Sequence, residues 1–309
     1  GGWYATVGGD HPSDRKELYG QAHVLLGASS AASAGLPGSE ELLMRALEVT
    51  QRFWVAADGR SIESFDRSFS QVDDYRGQNA NMHLTEAYLA AYEVTGEQYL
   101  LDRALSIAKY IAGGAAADQD GAWRLAEHFN AQWQPQLDHN RDDPRHAFRP
   151  YGSQPGHWLE WAKLLMQLKG LGITDSWLLP AARNLFDGAF RDAWANNGGF
   201  CYTVDWDGTP VVKERFFWEV AEGIGAAAAL YRATGEQYYA NAYARLWRYA
   251  NTHVADHISG SWWHELDVNN RPVVHTWEGK PDLYHAYQAT FYAFLPEDNG
   301  IAAWVKQPK

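Results

Sequence analysis

Thr95-Gly96-Glu97-Gln98-Tyr99 and Thr234-Gly235-Glu236-Gln237-Tyr238 are one pentapeptide used twice. Both copies stand between runs in which apolar residues recur every three or four positions, the spacing of one helix face. Glycine can end the first helix in a left-handed conformation, and the glutamate can open the next. Each copy therefore predicts a helix, a tight turn and a second helix. Gly35-Leu36-Pro37-Gly38-Ser39 reads as a third such turn, with Ser39 as N-cap. Working outward, the same periodicity predicts helices over 18–34, 42–55, 82–94, 99–111, 158–171, 177–194, 217–231, 238–250 and 283–294. No strand-helix alternation suggests a parallel sheet.

Longer aromatic connections separate the helix pairs. Residues 199–212 enclose Asp205-Trp206-Asp207-Gly208, and 261–274 enclose Asp267-Val268-Asn269-Asn270, both turn signals between alternating segments. Gly2-Trp3 and Ala122-Trp123 open similar stretches. A repeated hairpin that cannot bury its own face implies stacking or closure into a ring. The expectation is an all-α chain: an (α/α)6 barrel, a toroid of helical hairpins with β-hairpin loops at one rim. No linker rich in Pro, Ser or charge interrupts it, so 1–309 is expected to be a single domain. Twelve helices would close such a ring and nine are read here. The chain opens Gly1-Gly2-Trp3-Tyr4 without an initiator Met or signal peptide. Its first helices are therefore expected to be missing.

The 309 residues are 46% hydrophobic and 21% charged, a globular composition. A formal charge of −12 argues against nucleic acid, which calls for a basic face. No apolar run has the length of a membrane span. Cys201 is the sole cysteine, which excludes an internal disulfide and a thiolate zinc cage. No histidine spacing asks for a metal, and phosphate-cradling and nucleophile-elbow motifs are absent, so no cofactor is expected. Fifteen tryptophans suit either core filling or sugar stacking, Trp206 and Trp262-Trp263 included.

Three histidines stand near expected helix starts: His83 after Asn79-Ala80-Asn81-Met82, His157 after Pro155-Gly156, and His285 after Asp282-Leu283-Tyr284. In a toroid the inner helices point one way, so their first turns converge on one rim. The positive end of a helix disfavours imidazolium, which predicts neutral rings able to accept a proton. His157 and Glu160 are spaced i,i+3 and share a face, where a carboxylate can orient the ring. Glu219 and Glu222 read as paired acids or as first-turn carboxylates favoured by the dipole. Arg145, Arg149 and Lys213 are candidates for polar substrate contacts.

Taken in order, 76–83, 148–161, 202–206 and 282–285 resemble the N-acylglucosamine 2-epimerase superfamily in its aldose–ketose isomerase branch. The most specific stretch is Phe148-Arg149-Pro150-Tyr151-Gly152-Ser153-Gln154-Pro155-Gly156-His157-Trp158-Leu159-Glu160-Trp161. The resemblance covers essentially the whole chain. It implies the (α/α)6 barrel and metal-free chemistry on a free monosaccharide. It implies catalysis by His157 and His285 with Glu160, and substrate contacts from His83, Asn79, Tyr19 and Trp218. Glu219 and Arg149 join these as expected substrate contacts. It also implies an upstream segment whose Arg contacts the sugar.

The expected reaction interconverts D-mannose and D-fructose through a cis-enediol, with His285 serving carbon and His157 the oxygens. The reverse assignment stays open. The rival readings are a sugar 2-epimerase on the same scaffold, an isomerase of the sulfonated sugar sulfoquinovose, a glycoside hydrolase or lyase resting on Glu219 and Glu222, and a non-catalytic sugar-binding protein. The expected partner is a monosaccharide, with no nucleic acid and no membrane, for a cytoplasmic monomer or small homo-oligomer.

Overall fold

A computed structural model describes residues 1–8, 12–113, 121–296, 300 and 302. Among these are nine α-helices, each close to its predicted place: α1 (Leu18–Ser33), α2 (Ser39–Phe53), α3 (Gln78–Thr95), α4 (Gln98–Ala108), α5 (Pro155–Gly170), α6 (Leu178–Asp192), α7 (Phe217–Thr234), α8 (Gln237–Tyr249) and α9 (Tyr284–Phe291). The two glycines of the repeated pentapeptide end α3 and α7 with φ of 72° and 68°. Glu97 and Glu236 are the N-caps that follow. Ser39 is not a cap. Gly38 holds that position at φ 77°, and the Ser39 hydroxyl donates instead to the Leu36 carbonyl at 2.5 Å. Short π-helical turns, Lys109–Gly113 and Ala250–Val254, continue α4 and α8.

The helices differ in how much of their surface is covered. Along α6 only Leu178, Ala181, Ala182, Leu185, Phe186, Gly188 and Ala189 are buried, the single stripe of a helix with one wet face. Helices α3, α5 and α7 are buried on almost every side over their first three turns. Polar residues there are enclosed with the apolar ones, so their partners decide what they can do.

Contacts divide the chain into two compact units. The first contains α1 to α4 and the loop 128–136. In it α1 packs on α2 and α3, and α3 packs on α4. The second contains α5 to α9, with α5 on α6 and α7, and α7 on α8 and α9. In both units short strands lead directly into the buried helices. Lys16–Glu17 pairs with Ser64–Phe65 before α1, and Arg76–Gly77 with His128–Phe129 before α3. Arg215–Phe216 precedes α7 and pairs with Glu265–Leu266, which pairs in turn with Pro272–Val273. The predicted hairpins at 199–212 and 261–274 are present, with Thr203–Val204 on Pro210–Val212 in the first. Trp54–Val55 pairs with Arg60–Ser61 where helix was expected to persist. No strand opens at Ala122-Trp123.

Candidate active site

In the second unit the starts of α5, α7 and α9 carry His157, Trp218 and His285. Each start is fixed by local chemistry. Ahead of α5, Ser153 exchanges two backbone hydrogen bonds with Val204, both 2.9 Å. Gly152, at φ +94°, allows that approach, because a Cβ there would lie 2.5 Å from the Val204 carbonyl oxygen. The Ser153 hydroxyl donates to the Leu125 carbonyl at 2.6 Å and accepts from Trp158 Nε1 at 2.8 Å. The Gln154 N–H donates to Glu127 at 2.9 Å. These bonds stitch 125–127 to the first turn of α5. Pro155 occupies the first turn, where its missing N–H costs nothing. Gly156 leaves room for the Trp218 ring, which a Cβ would meet at 2.3 Å. At α9 the Asp282 carboxylate accepts from the Tyr284 N–H at 2.8 Å.

His157 Nδ1 lies 2.8 Å from Glu127 Oε2. His285 Nδ1 lies 2.8 Å from Glu222 Oε1, and Lys163 Nζ donates to Glu222 Oε2 at 2.5 Å. Both rings lie near Trp218, with centroids 5.3 Å and 5.7 Å from its own and tilts of 37° and 35°. Glu127, His157, Lys163 and Glu222 are buried, whereas Trp218 is partly exposed. With Nδ1 bonded to a carboxylate, each imidazole has Nε2 as its other working atom.

The charges refine the expected picture of two neutral rings. Burial pushes the proton off His157, but the Glu127 carboxylate, its hydrogen bond, and the charges of Glu160 and Glu222 outweigh burial and raise its pKa above the usual imidazole value. At His157 the nearby carboxylates outweigh the half-charge of the helix end. Burial would raise Glu222, but Lys163 and then His285 hold it below the ordinary carboxylate range.

Glu160 lies one turn beyond His157 on α5, fully buried. The carboxylate on Nδ1 is Glu127, thirty residues earlier in sequence. Glu219 is fully enclosed. Its Oε2 accepts from the Phe216 N–H at 3.3 Å, and burial raises its carboxyl well above the usual range. It caps its own helix and has no exposed surface to offer a substrate. The paired-acid reading of Glu219 and Glu222 gains no support, since Glu222 is engaged by Lys163 and His285. Arg149 is half-buried in the loop before α5, where its carbonyl accepts from Asn140 Nδ2 at 2.7 Å. Arg145 pairs with Glu214, and Lys213 is exposed. The Trp206 indole donates to the Leu137 carbonyl at 3.0 Å, and Trp262 packs on Phe217 and Trp247.

The first unit holds a separate cluster. The ring centroid of Tyr19 lies 4.4 Å from that of His23 and 5.1 Å from that of His83, and the two imidazole centroids are 4.6 Å apart. His23 Nδ1 bonds its own helix at the Tyr19 carbonyl, 2.9 Å. His83 is five residues into α3, past the positive end of that helix, and its Nδ1 is 3.9 Å from Glu86. Asn79 is partly buried, and its Oδ1 has no partner among the described residues.

The sequence profile of N-acylglucosamine 2-epimerase (GlcNAc 2-epimerase) matches residues 1–289. The chain belongs to that family. A D-mannose isomerase of Thermobifida fusca is 47% identical over 302 residues, covering 96% of this chain and 74% of that one. A D-mannose isomerase of Pseudomonas cannabina pv. alisalensis is 44% identical, covering 98% and 75%. The crystal structure of a D-mannose isomerase superposes with a TM-score of 0.85 at 36% identity, over 91% of this chain and 72% of the other. As a member of the N-acylglucosamine 2-epimerase family the chain has the (α/α)6 fold class and is an isomerase. No helix among the described residues is long and apolar enough to cross a membrane.

Three residues of this family member escaped the sequence reading. Glu127 sits in a segment without periodicity, far in sequence from its histidine. Lys163 reads as an ordinary polar position of a helix, although it follows His157 and Glu160 in steps of three through an otherwise apolar run. His23 follows Tyr19 by one helical turn, and only that spacing pointed to it.

Proposed function

We propose that the chain is an aldose–ketose isomerase that interconverts D-mannose and D-fructose through a cis-enediol, without a metal. The observation that carries this is the pair of imidazoles near Trp218, each bonded through Nδ1 to its own carboxylate at 2.8 Å. Its relatives at 44–47% identity bear the name D-mannose isomerase.

The reaction needs the ring opened, one proton taken from C2, and one returned to C1. His157, whose proton is held by surrounding carboxylate charge, serves the oxygens. It gives a proton to the ring oxygen as the bond from C1 breaks and takes the anomeric hydroxyl proton in return, then moves a proton from O2 to O1. His285 serves carbon: its Nε2 accepts the C2 proton and delivers it to C1 on the same face of the enediol. Each transfer is worth about a hundred- to ten-thousandfold in rate. Glu127 and Glu222 fix the ring orientations, and Trp218 offers an apolar ring beside them. Glu160 adds negative charge beside His157. His83, Asn79 and Tyr19 stand as proposed substrate contacts.

Product identification by 13C NMR, with mannose, lyxose and glucose as separate inputs, tests the reading. Mannose should give fructose. Glucose from mannose would establish the 2-epimerase instead, since two imidazoles near one carbon suit proton return to the opposite face.

A further inference from the structure

Lys163 is a buried charged side chain that the mechanism leaves unused. It is 2% exposed, in the middle of α5. It stands six residues beyond His157, about 9 Å along the axis and away from the first turn. A lysine this deep must be paired, and its stem must have been given space.

Both conditions are met by α7 and the end of α9. Trp218, Glu222 and Gly225 are spaced i, i+4, i+7 and share one face of α7. Glu222 receives the ammonium at 2.5 Å. Gly225 makes the passage: a Cβ there would stand 3.2 Å from Lys163 Cδ and 2.9 Å from the Tyr292 ring. The Tyr292 ring centroid lies 5.0 Å from Lys163 Nζ, and its hydroxyl donates to Gln288 at 2.6 Å. The line of contact is therefore Lys163 Nζ, Glu222 Oε2, Glu222 Oε1, His285 Nδ1, with 2.5 Å and 2.8 Å at its two hydrogen bonds.

We propose that Lys163 is a positioning residue for the isomerisation, acting through Glu222 to keep His285 free to accept a proton at Nε2. The inference rests on the proposed function above. The physical reason is charge balance. With the ammonium present, the Glu222 carboxylate is already neutralised and needs only a hydrogen bond from Nδ1–H. Without it, the same buried carboxylate draws a second proton onto the imidazole, because a lone buried charge is costly. His285 would then be an acid where the carbon step needs a base. The charged and titratable groups around the pair are Lys163 and His157 from α5, His285 from α9, Tyr292 beyond it, and Glu160 and Glu219 one turn away on α5 and α7. His157 cannot take the place of Lys163, since its own proton is bonded to Glu127.

The test compares Lys163→Met, Lys163→Gln and Lys163→Arg with the parent enzyme, each checked for folding by circular dichroism. Two readings are taken: the pH profile of kcat on mannose, and the 15N shifts of the His285 ring against pH without sugar. For Lys163→Met the expected result is a kcat down about ten- to a hundredfold at neutral pH, recovering as pH rises. The 15N shifts should show imidazolium persisting to higher pH than in the parent. Lys163→Arg should keep the parental profile within about threefold. If the Met variant does not fold, Lys163→Gln, which keeps a donor but not the charge, should show the same displacement. Folded variants with the parental pH profile and ring titration would overturn the proposal, as would a loss of rate equal at every pH. A parent enzyme that makes no ketose would remove the isomerase reading while the 15N titration still judged the relay.

Discussion

The two ends of the cluster around Trp218 use one device in two electrostatic settings. At each end an imidazole gives Nδ1 to a carboxylate at 2.8 Å. At the α5 end the carboxylate comes from a loop, and Glu160 and Glu222 add further negative charge, so the ring's pKa stands above the usual imidazole value. At the α9 end the carboxylate comes from α7 and is answered by Lys163, so its demand for a second positive charge is met elsewhere. Two side chains of one type, centred 5.3 Å and 5.7 Å from the Trp218 ring, thus differ in the charged partners around them.

Removing either ring should produce the largest effect. His157→Ala and His285→Ala should each lose about a hundred- to ten-thousandfold in kcat with the fold intact by circular dichroism. If the ends differ as described, the two variants fail differently. His285→Ala should stop exchange of the C2 proton with solvent, whereas His157→Ala should retain exchange on substrate that opens unaided.

Glu127→Gln comes next and addresses the α5 end alone. Burial is the largest influence on His157 and pulls its pKa down, so losing the opposing carboxylate lets burial win. The alkaline limb of the rate profile should move to lower pH, with about a ten- to hundredfold loss of kcat above neutrality. Stability follows the same sign. A raised imidazole pKa contributes stability fully present below the unfolded value of about 6.5, and that contribution fades as pH rises through the folded value. The gap in denaturation midpoint between parent and Glu127→Gln should accordingly be wider at pH 6 than at pH 9.

Gly156→Ala tests the placement of Trp218. Its Cβ would overlap the Trp218 ring at 2.3 Å, which should cost about 1–3 kcal/mol in chemical denaturation. A shifted Trp218 should also raise KM. Glu219→Gln should do least. Burial raises its carboxyl well above the usual range and so favours the neutral acid, to which the amide is nearly isosteric. Stability should change by less than about 0.5 kcal/mol, with kcat close to parental. A large loss of kcat would restore Glu219 to the chemistry.

The same contrast explains what could be read from sequence. Helix positions were legible because period and glycine punctuation are local, as Gly96 and Gly235 illustrate. Ser39 misled because Gly38, one residue earlier, could take the left-handed cap that serine cannot take cheaply. The stretch 155–161 announced His157, and 282–285 announced His285. The partners that set their protonation stayed hidden. Glu127 reaches His157 through bonds from Ser153 and Gln154 that no periodicity encodes, and Lys163 is defined by Glu222 on a different helix. Local pattern placed the rings, and long-range pairing supplied their carboxylates.

The most direct test of complementary proton transfer is to incubate mannose with the enzyme in D2O and follow the products by 1H and 2H NMR. The account predicts fructose carrying deuterium at C1 in at least part of the product, with no such label formed by His285→Ala. Fructose with C1 fully protonated, as a hydride shift would leave it, or glucose as the product, would contradict it.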